Sequence, residues 1–187
     1  MTAAELKEFI ARIALNEDTA AYKKLFLCYY PRLLAFSLAI THCKESSEEV
    51  VSDVFLKIWN MRKALLHVEN FHLYLYISTK NSSLNYLAKQ KRSKVFSLDD
   101  VNAEIKSLYY DPEQLMITSE MFKRIAAAVQ ALPPKCRLIF KLVKEDNLSY
   151  KEVAELLHLS VKTIEAQMTI ALRRLGASVY FRQPSLS

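Results

Sequence analysis

Residues 148–175 read LSYKEVAELLHLSVKTIEAQMTIALRRL, and the two helices written into them set the architecture expected of the whole chain. Ser149 and Glu152 stand in the S-x-x-E spacing of a capping box, in which each side chain takes up a backbone N–H that the first turn leaves free. Val153, Ala154 and Leu157 mark the buried face of a short helix, and Ala154 is small enough to let two helices cross closely. His158-Leu159-Ser160 forms the turn, with Leu159 as an apolar plug and Ser160 as the next N-cap. The position of His158 ordinarily favours Gly. Val161, Ile164, Met168, Ala171, Leu172 and Leu175 then supply the inward face of a second helix. The pattern predicts a helix-turn-helix; an ordinary helical hairpin of a bundle is the alternative.

The inward face leaves Lys162, Thr163, Glu165, Ala166, Gln167 and Thr169 facing outward. A recognition helix presents its early outward residues to base edges in the major groove. Gln167 suits adenine, Glu165 the cytosine amino group, Lys162 guanine or phosphate, and Ala166 a thymine methyl. Arg173 and Arg174 lie farther along, better placed for phosphate or a partner protein.

Upstream, composition extends the helical reading. One Gly in 187 residues leaves few positive-φ positions for hairpins and bulges, and abundant Leu, Ala, Lys and Glu favour helix. An all-α fold follows: two small helical domains joined by a linker, the C-terminal one carrying the helix-turn-helix. The formal charge is +6, which draws a protein to polyanions through counterion release. Residues 1–95 carry 14 cations against 9 anions, residues 96–111 one against four, and residues 112–187 eleven against seven. Two basic domains, 1–95 and 112–187, are thus expected on either side of an acidic linker, 96–111.

In the first domain, residues 6–40 follow a helical pattern, with Pro31 expected to kink or divide it. Ser46 and Glu49 read as a second capping box, followed by the apolar positions Val50, Val51, Val54, Phe55, Ile58 and Trp59, with Glu49, Asp53 and Asn60 on another face. A third helix, residues 71–94, begins aromatic and ends basic: from Lys80 to Lys94 there are five cations and no anion. A solvated helix end is the plain alternative for the Lys89–Lys94 cluster. In the second domain, Asp111-Pro112-Glu113-Gln114 opens a helix expected to reach about Ala131. Pro133-Pro134 starts another, ending near Lys144.

Cys28, Cys43 and Cys136, an odd and scattered set, argue for a reducing compartment. No basic-apolar-small leader opens the chain, which predicts a protein that is not secreted. The longest apolar stretches, about ten residues, fall short of the roughly 20 needed to span a bilayer. No Gly-rich phosphate loop, H-E-x-x-H or C-x-x-C occurs, so no catalytic residue, cofactor or metal is expected. His42 beside Cys43, with Cys28 nearby, suggests a metal or redox site only weakly, because neighbouring helical residues point apart.

Three segments in order carry a family resemblance. Glu48-Glu49-Val50-Val51-Ser52-Asp53-Val54-Phe55-Leu56-Lys57-Ile58-Trp59 closely resembles the polymerase-binding helix, region 2.2, of bacterial RNA polymerase sigma factors. Tyr74-Leu75-Tyr76-Ile77-Ser78-Thr79-Lys80-Asn81 with Asn85-Tyr86-Leu87 looks like the promoter-melting regions 2.3 and 2.4. Ala131-Leu132-Pro133-Pro134-Lys135-Cys136-Arg137 through Leu175 resembles region 4. Order, linker and length are similar to the extracytoplasmic-function (ECF) group, which keeps only regions 2 and 4.

The resemblance implies an alternative sigma factor, cytoplasmic and not itself an enzyme, that binds core RNA polymerase and directs promoter recognition, DNA melting and initiation. Glu49, Ser52, Asp53, Leu56 and Asn60 would meet the β′ clamp, with Phe55 and Trp59 mainly core; region 4 would meet the β flap. Asn70 in the loop 66–70, Tyr74, Lys80, Asn81, Asn85, Lys89 and Arg92 would face the −10 element. Tyr74 stands where family members often carry Trp, and can still stack on an unpaired base. Ser160, Lys162, Thr163, Glu165, Ala166 and Gln167 would face the −35 element. An anti-sigma factor, often membrane-bound in the family, is a further expected partner. A plain helix-turn-helix regulator with a helical sensor domain, an enzyme and a passive interaction module are the rivals.

Overall fold

The structure is a computed structural model that describes residues 2–90 and 119–180. It divides into two compact units, Met1–Phe96 and Ser97–Ser187. Eight α-helices and one 3-10 helix occur among the described residues. The expected linker, the helix start at Asp111 and Pro112, and the basic end of the third helix, Lys91 to Lys94, lie outside them.

The first unit opens with α1 (Ala3–Asn16), capped by a Thr2–Glu5 box. The pattern expected to run through residues 6–40 is broken at Glu17 and Asp18. Glu17 takes a left-handed conformation, φ 52°, and Asp18 caps α2 (Thr19–Thr41) by accepting from the Ala20 and Ala21 amides, both at 2.9 Å. A carboxylate that can hold two free N–H groups makes a new helix start there.

Pro31, expected to kink or divide the run, does not divide it: it lies inside α2, which is assigned as one helix. An interior Pro costs about 3 kcal/mol relative to Ala. That cost is offset because both sides of Pro31 are anchored in one core: Leu25 and Tyr29 before it, Leu33 and Phe36 after it, all buried.

Helix α3 (Lys44–Asn60) starts before the expected Ser46–Glu49 box, at Cys43, with no side-chain cap. Ser46 and Ser47 lie buried in its first turn. The reason is the α2–α3 corner. Ser47 Oγ donates to the Cys43 carbonyl at 2.7 Å and pairs with Thr41 Oγ1 at 2.6 Å, which draws the serines inward. A 3-10 helix, Arg62–His67, and then α4 (Phe71–Gln90) complete the unit.

Helices α2, α3 and α4 pack on one another, and α1 packs against α2 and the 3-10 helix. Val51, Phe55, Ile58, Leu75 and Tyr76 fill the core. Burying a side chain of this size is worth about 1.5–3 kcal/mol. The α2–α4 contact includes a buried Ser37–Ser83 hydroxyl pair at 2.9 Å.

The second unit holds α5 (Ser119–Gln130), α6 (Pro134–Lys144), α7 (Tyr150–Leu157) and α8 (Val161–Tyr180). Pro134 sits in the first turn of α6, where its missing N–H has no intrahelical partner to lose. Asn147, φ 59°, turns the chain between α6 and α7. Helix α8 is the central element, packed by α5, α6 and α7. Cys136, Ile139, Leu142, Leu148, Val153, Leu156, Ile164, Met168 and Ala171 are buried. Three expected inward positions of α8 are not: Leu175 is half-buried, and Val161 is 36% and Leu172 51% exposed. Val161 opens the helix, and Leu172 follows directly on buried Ala171, about 100° around the axis.

Candidate nucleic-acid and polymerase interface

The helix-turn-helix is built as its residues dictate. Ser149 and Glu152 form the reciprocal box, at 2.6 and 3.3 Å. His158 is left-handed, φ 54°. The amides of His158 and Leu159 return to the carbonyls of Glu155 and Ala154, at 3.2 and 2.9 Å, which closes the helix in Schellman fashion. Ser160 Oγ accepts from the Thr163 amide at 3.0 Å and lies 2.8 Å from Thr163 Oγ1. Those two hydroxyls therefore organise the start of α8.

The remaining outward set is arranged for contact. Lys162, Glu165 and Ala166 are exposed and Gln167 is half-buried, all within the first two turns of α8. Such a face offers a cation, a carboxylate, a methyl group and an amide to a groove of matching chemistry. Arg173 and Arg174 are exposed farther along.

In the first unit, Glu49, Ser52, Asp53, Leu56 and Asn60 are all exposed on α3. They lie opposite Val50, Val51, Val54, Phe55 and Ile58, which are buried. Leu56 is 59% exposed, an apolar side chain set among polar ones. Phe55 is core, and Trp59 is half-buried, its ring 4.9 Å from that of Tyr22.

The expected −10 residues divide. Asn81, Asn85 and Lys89 are exposed on α4. Asn70 is exposed, and its side chain caps α4 by accepting from the Leu73 amide at 3.0 Å. Tyr74 is half-buried, and its hydroxyl donates to Met61 Sδ at 3.1 Å. Arg92 lies outside the described residues.

Lys80, expected to hold a phosphate, is only 8% exposed. Desolvation pushes its ammonium below the ordinary lysine value. The signal was in the spacing: Lys80 stands four residues after Tyr76 and three before Ser83, both fully buried, so it shares their face.

Two features were not foreseen. Glu49 and Asp53 of α3 and Ser82, Asn85, Tyr86 and Lys89 of α4 line one groove of about 420 Å³. Residues read as separate polymerase and DNA contacts thus share a wall. The second is Arg62, whose guanidinium lies 5.2 Å over the Trp59 ring and pairs with Glu17. No sequence spacing announces a pair 45 residues apart. Near the weakly indicated His42–Cys43 site, Cys43 Sγ lies 3.2 Å from Glu45 Oε2. Among the described residues no three His, Cys, Asp or Glu side chains gather as a ligand set, and no helix is long and apolar enough to cross a membrane.

Comparison with known families matches residues 25–93 to Sigma-70 region 2 and residues 122–175 to Sigma-70 region 4. The chain is 27% identical over 128 residues to the ECF RNA polymerase sigma-E factor of Escherichia coli, covering 64% of this chain and 66% of that protein. It is 23% identical over 160 residues to the RNA polymerase sigma-H factor of Pseudomonas aeruginosa, covering 81% and 82%. Among solved structures it is similar in fold to CnrH, in complex with the cytosolic domain of CnrY. That match has a TM-score of 0.52 and 19% identity, over 91% of this chain and 94% of that one. It is also similar in fold to the sigma factor RpoE in complex with the anti-sigma factor NepR from Bartonella quintana. There the TM-score is 0.51 and the identity 19%, over 84% and 96%.

Proposed function

The chain belongs to the ECF group of the sigma-70 family, with regions 2 and 4, and on that premise we propose that it docks on core RNA polymerase and directs where transcription begins. The domains are assigned as residues 1–95 for polymerase and the −10 element, 96–111 as linker, and 112–187 for the −35 element. The observation that carries this is the two-faced α3. Its inner stripe is core, while Glu49, Ser52, Asp53, Leu56 and Asn60 form an exposed outer stripe. That stripe sets two carboxylates, a hydroxyl, an amide and one apolar side chain together on a rigid helix face, the mixed chemistry of a protein-contact surface.

Each DNA reader is small and modestly charged, so it binds weakly alone. Polymerase supplies the effective concentration that makes the pair strong. Lys162, Glu165, Ala166 and Gln167 read duplex at the −35 element, with Ser160 and Thr163 holding the helix end that presents them. Asn70, Tyr74, Asn81, Asn85, Lys89 and Arg92 act at the −10 element, where separated bases must be held against an unstacking cost of a few kcal/mol. Stacking on an aromatic such as Tyr74 returns about 1–3 kcal/mol. The chain itself performs no bond chemistry in this scheme and works in the cytoplasm. One similar structure holds the sigma factor RpoE against the anti-sigma factor NepR, and the other holds CnrH against the cytosolic domain of CnrY, which supports an anti-sigma factor as a partner here too, soluble or membrane-bound. Fluorescence titration of labelled chain with core polymerase tests the docking. Saturable binding that Asp53→Lys and Leu56→Arg weaken supports it, and no binding refutes it.

A further inference from the structure

We infer that Arg62 is a positioning residue, held by Glu17 and Trp59, that fixes the 3-10 turn and Tyr74 in the arrangement the −10 contact requires. The inference rests on the −10 assignment above and deepens it. Arg62 opens the 3-10 helix that leads into the loop 66–70. Its guanidinium is gripped from three sides: Nη2 pairs with Glu17, Nη1 donates to the Trp59 carbonyl at 3.2 Å, and the plane lies over the Trp59 ring. The side chain is 21% exposed, so these contacts hold it largely out of water.

The anchor is itself fixed. Glu17 is the left-handed residue between α1 and α2. Beside it, Asp18 caps α2 and takes two hydrogen bonds from Arg12, at 2.7 and 2.9 Å. Helix α1 packs against the 3-10 helix, whose Leu65 is buried. The next link is Met61, directly before Arg62, whose Sδ accepts the Tyr74 hydroxyl. A contiguous set of contacts thus runs from the α1–α2 corner through Arg62 to the loop and to Tyr74. Helix α1 and Glu17 precede the residues matched to region 2, which begin at 25, so the acidic partner of Arg62 comes from the C-cap that ends the N-terminal helix.

The test uses the full chain and the variants Glu17→Gln and Glu17→Asp. Glu17 is well exposed, so neither replacement disturbs the core. Hydrogen exchange reads the turn directly at the amides of Ala64 and Val68, which donate within it at 2.8 and 3.1 Å. Glu17→Gln is expected to speed their exchange about two- to fivefold, the scale of one exposed ion pair, with α6–α8 unchanged. Permanganate reactivity of −10 thymines with core polymerase should fall by a similar factor, with affinity for core polymerase unchanged. Glu17→Asp, which keeps the charge, should recover at least half of each loss. Unchanged exchange, no recovery with Asp, or an equal loss of polymerase affinity would overturn the inference. Exchange is read on the free chain, so it decides the positioning claim independently. A wild-type chain that melts no promoter refutes the −10 assignment instead.

Discussion

The thiol of Cys136 on α6 donates a 3.3 Å hydrogen bond to the main-chain oxygen of Gln167 on α8. Cys136 is buried in a cluster with Leu132 and Ala171, which Phe140 and Ile170 pack against. A small side chain here sets how closely α6 approaches the helix that presents Gln167. Cys136→Leu should overpack the contact and cost about 1–3 kcal/mol, whereas Cys136→Ser keeps size and donor. Burial also pushes the Cys136 thiol above its ordinary value. Iodoacetamide at pH 8 should therefore alkylate half-buried Cys28 and Cys43 before Cys136, since the thiolate is the reactive form. Urea titrations and peptide mass mapping check the two halves.

The two faces of α3 predict opposite phenotypes. Ile58→Ala, at a buried position, should cost about 2–5 kcal/mol. Asp53→Lys and Leu56→Arg, on the exposed stripe, should leave stability within about 0.5 kcal/mol. The exposed variants should weaken binding to core polymerase at least tenfold, roughly 1.4 kcal/mol. Thermal melts alongside polymerase titrations separate the classes.

Lys80 and Lys89 lie on one helix and should behave differently. Lys89→Ala removes an exposed cation and should lower the salt dependence of promoter binding by about one unit of slope. Lys80→Met should leave that slope unchanged. Since burial lowers the Lys80 value in the folded state, the unfolded chain binds the proton more tightly, so stability should rise as pH climbs through the depressed value toward that of free lysine. Lys80→Met should abolish that rise. Denaturation at a series of alkaline pH values reads it.

His158 carries a left-handed backbone in the recognition turn, a conformation that costs a non-Gly residue on the order of 1 kcal/mol. His158→Gly relieves it, against the smaller cost of the extra chain entropy that Gly loses on folding, about 0.5 kcal/mol. A net gain of about 0.5 kcal/mol in the second unit is expected, with −35 binding unchanged, because His158 is not among the residues proposed to read the −35 element.

Specificity should reside in the first turns of α8. Alanine at Glu165 or Gln167 should cost about 1–3 kcal/mol on the preferred −35 sequence and relax the choice at one base position. Selection from a randomised −35 library compares the variants with the parent chain.

Much of this was legible before any coordinates. The Ser149–Glu152 box, the stripe of Ile164, Met168 and Ala171, and the apolar face of α3 are local patterns, and local patterns with a fixed period survive folding. Pro31 does not divide α2, because tertiary burial on both sides outweighs the propensity of one residue. Helix α3 starts earlier than the Ser46–Glu49 spacing implies because Ser47 bonds Thr41 and the Cys43 carbonyl, which places Ser46 inside the first turn instead of at the N-cap. The pairing of Glu17 with Arg62, and the groove shared by Glu49 and Lys89, join residues from separate helices. No period along the chain encodes such meetings; they follow only from how α1, α3 and α4 stack.

Run-off transcription with purified core polymerase, this chain and a promoter library tests the central claim most directly. The account predicts transcripts that begin at defined positions only when the chain is present, from templates sharing two spaced elements, and their loss with Leu56→Arg. Start sites unchanged by the chain, with core polymerase unbound, would contradict it.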